Sequence, residues 1–293
     1  MRYLIIALAP LAWLLLLAMS ACLLGFGLLQ LTGDVLPLAK VVSRLTLILL
    51  LISIFPLRKA LHLSWQDLGF ATCPVFFRQV GYGFLLAVIT LLPVLIVLYG
   101  LDVHVWDLSR VWTLAKIVEK TGLALLFALL IAINEEILFR GLLLSALRRH
   151  FSLVVAIAIS SFYYAALHFL KSRGQIPYDQ QTLSSGFELM AEAFANWLNP
   201  DIVSALIALF VVGVFLAILR SHIPQSLGLT IGCHAGWVWQ IKLSKDLFNV
   251  NPQADYLYLV SAYDGVVGPL VSVWLVIAIM VWLKMQQKSV IRA

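Results

Sequence analysis

The chain has 293 residues, 62% of them hydrophobic and only 12% charged, with a formal net charge of +6. A soluble domain holds about 45–50% apolar and about 25% charged residues, so this composition excludes a soluble protein and describes an integral membrane one. The positive balance fits basic cytoplasmic loops, and the lack of any cluster of four basic residues argues against a nucleic-acid partner.

Crossing ~30 Å of hydrocarbon takes about 20 apolar residues. Eight such runs predict an all-α polytopic membrane protein with about eight transmembrane helices. The first run covers residues 3–31. Met19-Ser20-Ala21-Cys22 resembles a lipoprotein cleavage site, but apolar sequence continues past Cys22, so an uncleaved helix is expected. The second run, 36–57, carries Lys40 and Arg44 in its opening turns, where they can snorkel, and stops at Arg58-Lys59. Residues 61–70, with Trp65 and Asp67, read as an amphipathic interfacial segment. The third run is 80–99. Residues 102–120 then alternate polar and apolar, and Tyr99, Trp106 and Trp112 suggest an aromatic belt.

The fourth run, 122–147, contains Glu135, Glu136 and Arg140 and stops at Arg148-Arg149-His150. The fifth, 152–170, ends in an aromatic stretch leading to His168. A polar insertion follows at 171–200. In it Phe187, Met190, Phe194 and Trp197 recur at helical spacing, with Glu188 and Glu192 on another face and Ser185 and Glu188 at capping-box spacing. This predicts an amphipathic interfacial helix, placed to lie over the site as a lid or a dock. The sixth run is 202–219. The seventh, 223–241, carries Cys233-His234. The eighth, 266–283, precedes a basic tail of Lys284, Lys288 and Arg292. With no repeat or soluble module, residues 1–293 read as one membrane domain. Eight spans put both termini on one side, and the tight clusters Arg58-Lys59 and Arg148-Arg149 make that side cytoplasmic.

Ionisable groups inside a membrane are expensive and ordinarily face a protein interior or a water-filled cavity. On a helix Glu136 and Arg140 are four apart and pair, while Glu135, about 100° round the axis, faces elsewhere. At ~1.5 Å per residue, Glu135 lies roughly 20 Å, His168 about 25 Å and His234 about 17 Å from the cytoplasmic ends of their spans. These depths allow one site in the middle to outer half of the membrane. His62, His104, His150 and His222 read as ordinary surface residues of loops.

A single intramembrane histidine is ordinarily a helix-to-helix hydrogen-bond partner. Two at matching depth with a glutamate pair suggest chemistry. A buried carboxylate is a candidate base for water, and two imidazoles can donate to an oxyanion. Glu135, His168 and His234 could also ligate zinc, but HExxH does not occur. A GxSxG with a partnered histidine is also missing, which disfavours a serine enzyme. The three cysteines, Cys22, Cys73 and Cys233, form no CxxC pair, so neither a disulfide framework nor a structural zinc is indicated.

Glu135-Glu136-x-x-x-Arg140, the aromatic stretch ending in His168, and His234 in a later span together resemble the CPBP family. That family holds the CAAX prenyl endopeptidases and bacterial relatives linked to bacteriocin processing and immunity. The resemblance covers about residues 120–245. It implies an intramembrane endopeptidase of the bacterial inner membrane that cuts a membrane-associated or lipid-anchored protein, with no cofactor. Glu135 would activate water, with Glu136 as its partner held by Arg140, and His168 and His234 would bind the oxyanion. The chain departs from the family at Tyr164, where Phe is usual, and at Val238, where Asn is usual. Val238 favours a rival reading as a non-catalytic partner-binding or immunity protein. A transporter with a Glu/His proton relay is a further rival, weakened by the lack of matching Gly/Pro-broken helices in the two halves.

Overall fold

In the computed structural model, which describes residues 1–291 with side chains to Gln286, all eight apolar runs are helical. They are α1 (Arg2–Thr32), α2 (Leu38–Ala60), α3 (Cys73–Gly100), the long run Leu114–Leu147, α6 (Leu153–Leu167), α8 (Val203–His222), α9 (Leu227–Leu247) and α10 (Pro269–Ile291). The long run consists of α4 (Leu114–Glu136), a π-helical segment (Ile137–Leu143) and a last turn, α5 (Leu144–Leu147). A further helix, α7 (Ser185–Ala195), forms in the insertion. Of the basic tail, Arg292 and the Lys288 side chain lie outside the described residues.

Among the described residues, six helices are long and apolar enough to cross a membrane, and the protein is an all-α polytopic membrane protein. Two of the eight runs fall short of that standard. Helix α6 is apolar but only 15 residues long. Helix α9 carries His234, Gln240, Lys242, Lys245 and Asp246. These are also the two helices that bring the histidines. Helix α9 is sheathed by neighbours, with Ile231, Cys233 and Ala235 buried, whereas α6 buries Ala156, Tyr164 and Ala165 on one face and exposes Val154, Val155 and Phe162 on another. A helix surrounded by protein need not present apolar side chains to lipid.

Helix α9 is seated by its glycines. Gly228, Gly232 and Gly236 recur every fourth residue and so form one stripe, which lies against α3. A Cβ at Gly228 would stand 2.7 Å from the Phe76 carbonyl oxygen, and one at Gly232 would collide with that of Val80. Small residues let helix backbones approach closely where lipid offers no hydrophobic drive. Side chains fasten the same pair: Trp237 donates to Thr90 Oγ1 at 2.8 Å, and Gln240 donates to the Ala87 carbonyl at 3.1 Å.

Several loop expectations need correction. The 61–70 segment folds into turns packed against the protein. Leu63 and Leu68 are buried in it. Asp67 caps its turn by accepting from Ser64 Oγ and N at 2.7 and 2.8 Å, bonds that hold its carboxyl below the usual range. Arg220 donates to the Asp67 carbonyl at 2.7 Å, and Arg149 donates to that of Leu61, so the loop is tied to helix ends. Residues 102–120 contain a strand, β1 (His104–Trp106), paired antiparallel with β2 (Phe248–Val250). His104 is therefore not a surface residue. It is 4% exposed, with Nε2 2.7 Å from the Gly265 carbonyl oxygen and Nδ1 3.4 Å from Ser244 Oγ. His222 lies in the last turn of α8 rather than in a loop, while His62 and His150 are exposed in turns.

Helix α7 forms where the amphipathic pattern predicts, but the box at Ser185 does not. Ser184 precedes the helix and donates to Glu188 Oε1 at 2.8 Å, whereas Ser185 Oγ accepts from the Thr182 amide at 2.9 Å. Its apolar face packs through Leu189 into a cluster with Cys22, Leu29 and Leu38 of α1 and α2.

The glycine stripe gives a direct test. Gly232→Ala should lower stability by about 1–3 kcal/mol through overpacking. Gly81→Ala on α3, where an added Cβ meets nothing within 4 Å, should be neutral or stabilising. Thermal unfolding of both variants in detergent separates the two outcomes.

Candidate active site

The fourth run supplies three of the predicted residues, and its local geometry explains how. Helix α4 ends at Glu136 and passes directly into the π-helical segment, where the Leu144 amide bonds the Phe139 carbonyl, five residues back. Single π turns are rare and recur at functional sites. The extra residue turns everything beyond it by about 100° relative to a continuous α-helix. Ser160 Oγ of α6 donates to the same Phe139 carbonyl at 3.1 Å, which locks α6 against the widened turn.

Glu136 and Arg140 form the buried half of the site, 0% and 1% exposed. Arg140 Nη1 is 3.0 Å from Glu136 Oε1. Its Nη2 donates to the Gly213 carbonyl on α8 at 3.4 Å, and its guanidinium carbon stands 4.2 Å from the Tyr164 ring centroid. Gly213 permits this approach, since a Cβ there would stand 2.9 Å from that of Ser161. His234 Nδ1 lies 2.9 Å from the same Glu136 Oε1. One carboxylate oxygen thus gathers a guanidinium from its own run and an imidazole from α9.

Glu135 faces the other way, into a cavity of about 510 Å³ lined also by Tyr164, His168 and His234. Its Oε2 lies 3.7 Å from His168 Nε2 and 3.8 Å from His234 Nε2. That oxygen is shielded and makes no hydrogen bond among the described residues. His168 caps α6, and its Nδ1 is 2.7 Å from the Tyr164 carbonyl oxygen. A carbonyl can only accept, so Nδ1 carries the proton and Nε2 is the atom turned to Glu135. The ion-paired carboxylate of Glu136 likewise only accepts, which fixes the proton on His234 Nδ1. Both Nε2 atoms therefore face the cavity in the same state.

All five residues singled out from the sequence come together here: Glu135, His168 and His234 at the cavity, and Glu136 and Arg140 behind them. Val238 lines the cavity too and offers no donor. Gln240 points away, donating to Ala87 and Gly236. Tyr164 is the polar aromatic at the centre, edge-on to both imidazoles with centroids 4.7 and 5.9 Å away.

Sequence reasoning missed the cavity mouth. Lys171, Lys242 and Lys245 line it, with Tyr263 and Asp264 from the loop before α10. Tyr263 donates to the His168 carbonyl at 3.3 Å. Desolvation first, then the Asp264 and Glu135 carboxylates, push its pKa up, so it stays a protonated donor. No motif marks these residues; a tyrosine in a polar loop carries no signal of where that loop folds. No α7 residue lines this cavity, so the helix is not a lid over it.

Glu135, His168 and His234 carry atoms of the type that zinc takes. Ligand atoms around a tetrahedral zinc are about 3.3 Å apart, closer than the 3.7 and 3.8 Å found here. Among the described residues no group of three His, Cys, Asp or Glu side chains is disposed to hold a metal ion.

With this geometry in place, comparison with known proteins adds a family-level similarity over part of the chain. Residues 117–240 match the family model of type II CAAX prenyl endopeptidase Rce1-like proteins. This is the CAAX-protease branch of the family that the sequence resembles. The Rce1-like match takes in Glu135, Glu136, Arg140, His168, His234 and Val238, and leaves out α1, α2, α3, Tyr263 and α10. No curated protein and no solved structure matches the chain.

The buried pair predicts a stability effect distinct from any effect on chemistry. Arg140→Ala leaves Glu136 unpaired in the interior and should cost about 3–5 kcal/mol. Unfolding in detergent should show the loss. Glu135→Gln, which breaks no ion pair with a guanidinium, should unfold like the parent protein.

Proposed function

We propose that the protein is an intramembrane endopeptidase that hydrolyses a peptide bond of a membrane-associated or lipid-anchored protein through a glutamate-activated water. One observation carries this reading. Of two adjacent glutamates, one is spent in an ion pair, and the other faces a cavity with two imidazole Nε2 atoms at 3.7 and 3.8 Å. Those separations are too long for direct hydrogen bonds and suit a small oxygen species between the three groups.

Proton counting refines the roles. Glu135 Oε2 and the two neutral Nε2 atoms would be three acceptors around one water, which has only two protons to give. One of the three must carry a proton of its own. An imidazolium is the natural holder, because its charge is balanced by Glu135 or Glu136. In the reaction Glu135 takes a proton from water as the water oxygen attacks the carbonyl carbon. The Nε2–H of the imidazolium donates to the oxyanion. Collapse breaks the C–N bond, and the Glu135 carboxylic acid returns the proton to the leaving amine. No step in this sequence requires a metal.

The rival, a non-catalytic binding protein, draws on Val238 at the cavity wall. A terminus-selective comparison of membrane proteomes from cells carrying the wild type or Glu135→Gln separates the two. General-base loss should lower turnover by about 10²–10⁴-fold, so new termini should appear with the wild type alone. Identical termini in both strains favour the rival. The purified wild type should also keep full activity after exhaustive chelation. Loss on chelation with recovery on stoichiometric zinc would make Glu135, His168 and His234 ligands.

The substrate side follows from orientation. The cavity mouth, the insertion and the β1–β2 sheet all lie where α3, α6 and α9 end. With cytoplasmic termini in a bacterial inner membrane, that face is the outer one, and the substrate is an exported protein. The native cysteines provide the probe, since Cys22 and Cys233 are buried and Cys73 is exposed at the opposite end of α3. In intact spheroplasts an impermeant maleimide should leave Cys73 unlabelled and react with cysteines introduced at Gln181 and Asn251. The reverse pattern overturns the exported substrate and leaves the peptidase reading standing.

A further inference from the structure

A second cavity, of about 600 Å³, lies apart from Glu135, between α1, α2, α7 and the segment that follows α6. Its walls are apolar: Leu14 of α1, Val42, Leu47 and Leu50 of α2, Leu167 and Leu189. Its rim is cationic: Lys40, Lys171 and Arg173 all line it and are all exposed. No Asp or Glu is among its lining residues. The nearest acid, Glu192, is committed to the strap beside the rim. It accepts from Ser172 Oγ at 2.7 Å and from the Arg173 and Gly174 amides at 3.0 Å. Those bonds, Ser172 first, hold its carboxyl below the usual range, so it stays a carboxylate.

Depth and charge together define the occupant. Lys40 sits in the first turn of α2, and Leu50 lines the cavity ten residues further along the same helix. Ten helical residues rise ~15 Å, about half of a ~30 Å hydrocarbon core, which is the depth of one leaflet. The cations stand at helix ends, Lys40 in the first turn of α2 and Lys171 and Arg173 just beyond α6, the positions at which basic side chains meet lipid headgroups. A soluble anion has no use for the apolar walls, and an uncharged lipid has none for the three cations. We propose that this cavity holds one anionic phospholipid of the surrounding leaflet, its phosphate on Lys40, Lys171 and Arg173 and an acyl chain between α1 and α2. Lys171 lines both this cavity and the one at Glu135, and it follows His168 by three residues. The bound lipid therefore lies beside the catalytic cavity and steadies the backbone that leaves it. The inference requires a membrane protein but not a peptidase.

The test is lipid binding by the full-length protein, read by native mass spectrometry from detergent with phosphatidylglycerol or phosphatidylcholine added. The wild type should retain phosphatidylglycerol at least tenfold more tightly than phosphatidylcholine. Lys40→Gln with Arg173→Gln, both on exposed side chains, should erase that preference. Ala193→Trp should block the cavity and lose the lipid while keeping every cation, and Ser43→Trp serves if that variant does not fold. Equal retention of the two lipids by the wild type, or an undiminished preference in the double variant, overturns the proposal. So does full displacement of phosphatidylglycerol by inorganic phosphate, which would leave the acyl chain without a role. Retention of a palmitoylated peptide but of neither phospholipid would assign the cavity to a substrate anchor instead.

Discussion

The structure depends on one fully buried ion pair, Glu136 with Arg140. Two charges taken out of water become tolerable when they meet each other and further groups bond to them, although Glu136 Oε2 finds no hydrogen-bond partner among the described residues. Here the guanidinium lies against the Tyr164 ring of α6 and reaches the Gly213 carbonyl of α8, while the carboxylate accepts from His234 of α9. Every helix that carries a site residue is thereby tied to the same two charges. Losing one partner would strand the other, so the cluster can form only when all four helices are in place.

The same arrangement separates two carboxylates that are neighbours in the chain. Because successive residues on a helix point about 100° apart, Glu136 can be held by Arg140 while Glu135 faces the cavity. The first is fixed in its ionised form by its partner. The second turns Oε2, which has no hydrogen-bond partner among the described residues, toward the cavity. Adjacent identical side chains acquire different work from geometry alone.

Small residues make the close approaches possible. The Gly228, Gly232 and Gly236 stripe sets α9 against α3 and so fixes how far His234 projects toward α4. Gly213 does the same between α8 and α6. Enclosing α9 inside other helices then relieves it of the need to be uniformly apolar, and it can carry charged residues down to the cavity mouth. The peripheral α1, α2 and α7 add an amphiphilic cavity beside this core rather than a cover over it.

The sequence by itself determined the membrane character, the positions of eight helices and five residues that the fold brings together. Each of these rests on local physics. Apolar runs of sufficient length must be helical in lipid, because every backbone group has to be satisfied within the segment. Charges and histidines inside such runs stand out against them. Similar depths along three spans already implied one site. Only the tertiary structure decided the rest. His104 looked like a loop residue because its burial depends on Gly265 and Ser244, both far away in the chain. The β1–β2 pairing joins segments more than a hundred residues apart, and Tyr263 reaches His168 across nearly as many. The π turn after Glu136 has no compositional mark, since its geometry is set by the contacts of Arg140 and Ser160 with neighbouring helices. Which glutamate faced the cavity was an inference from helical angle until Arg140, Tyr164 and His234 closed around Glu136. The Arg140 pairing is local, but the contacts of Tyr164 and His234 come from α6 and α9, and no local pattern in the chain encodes those.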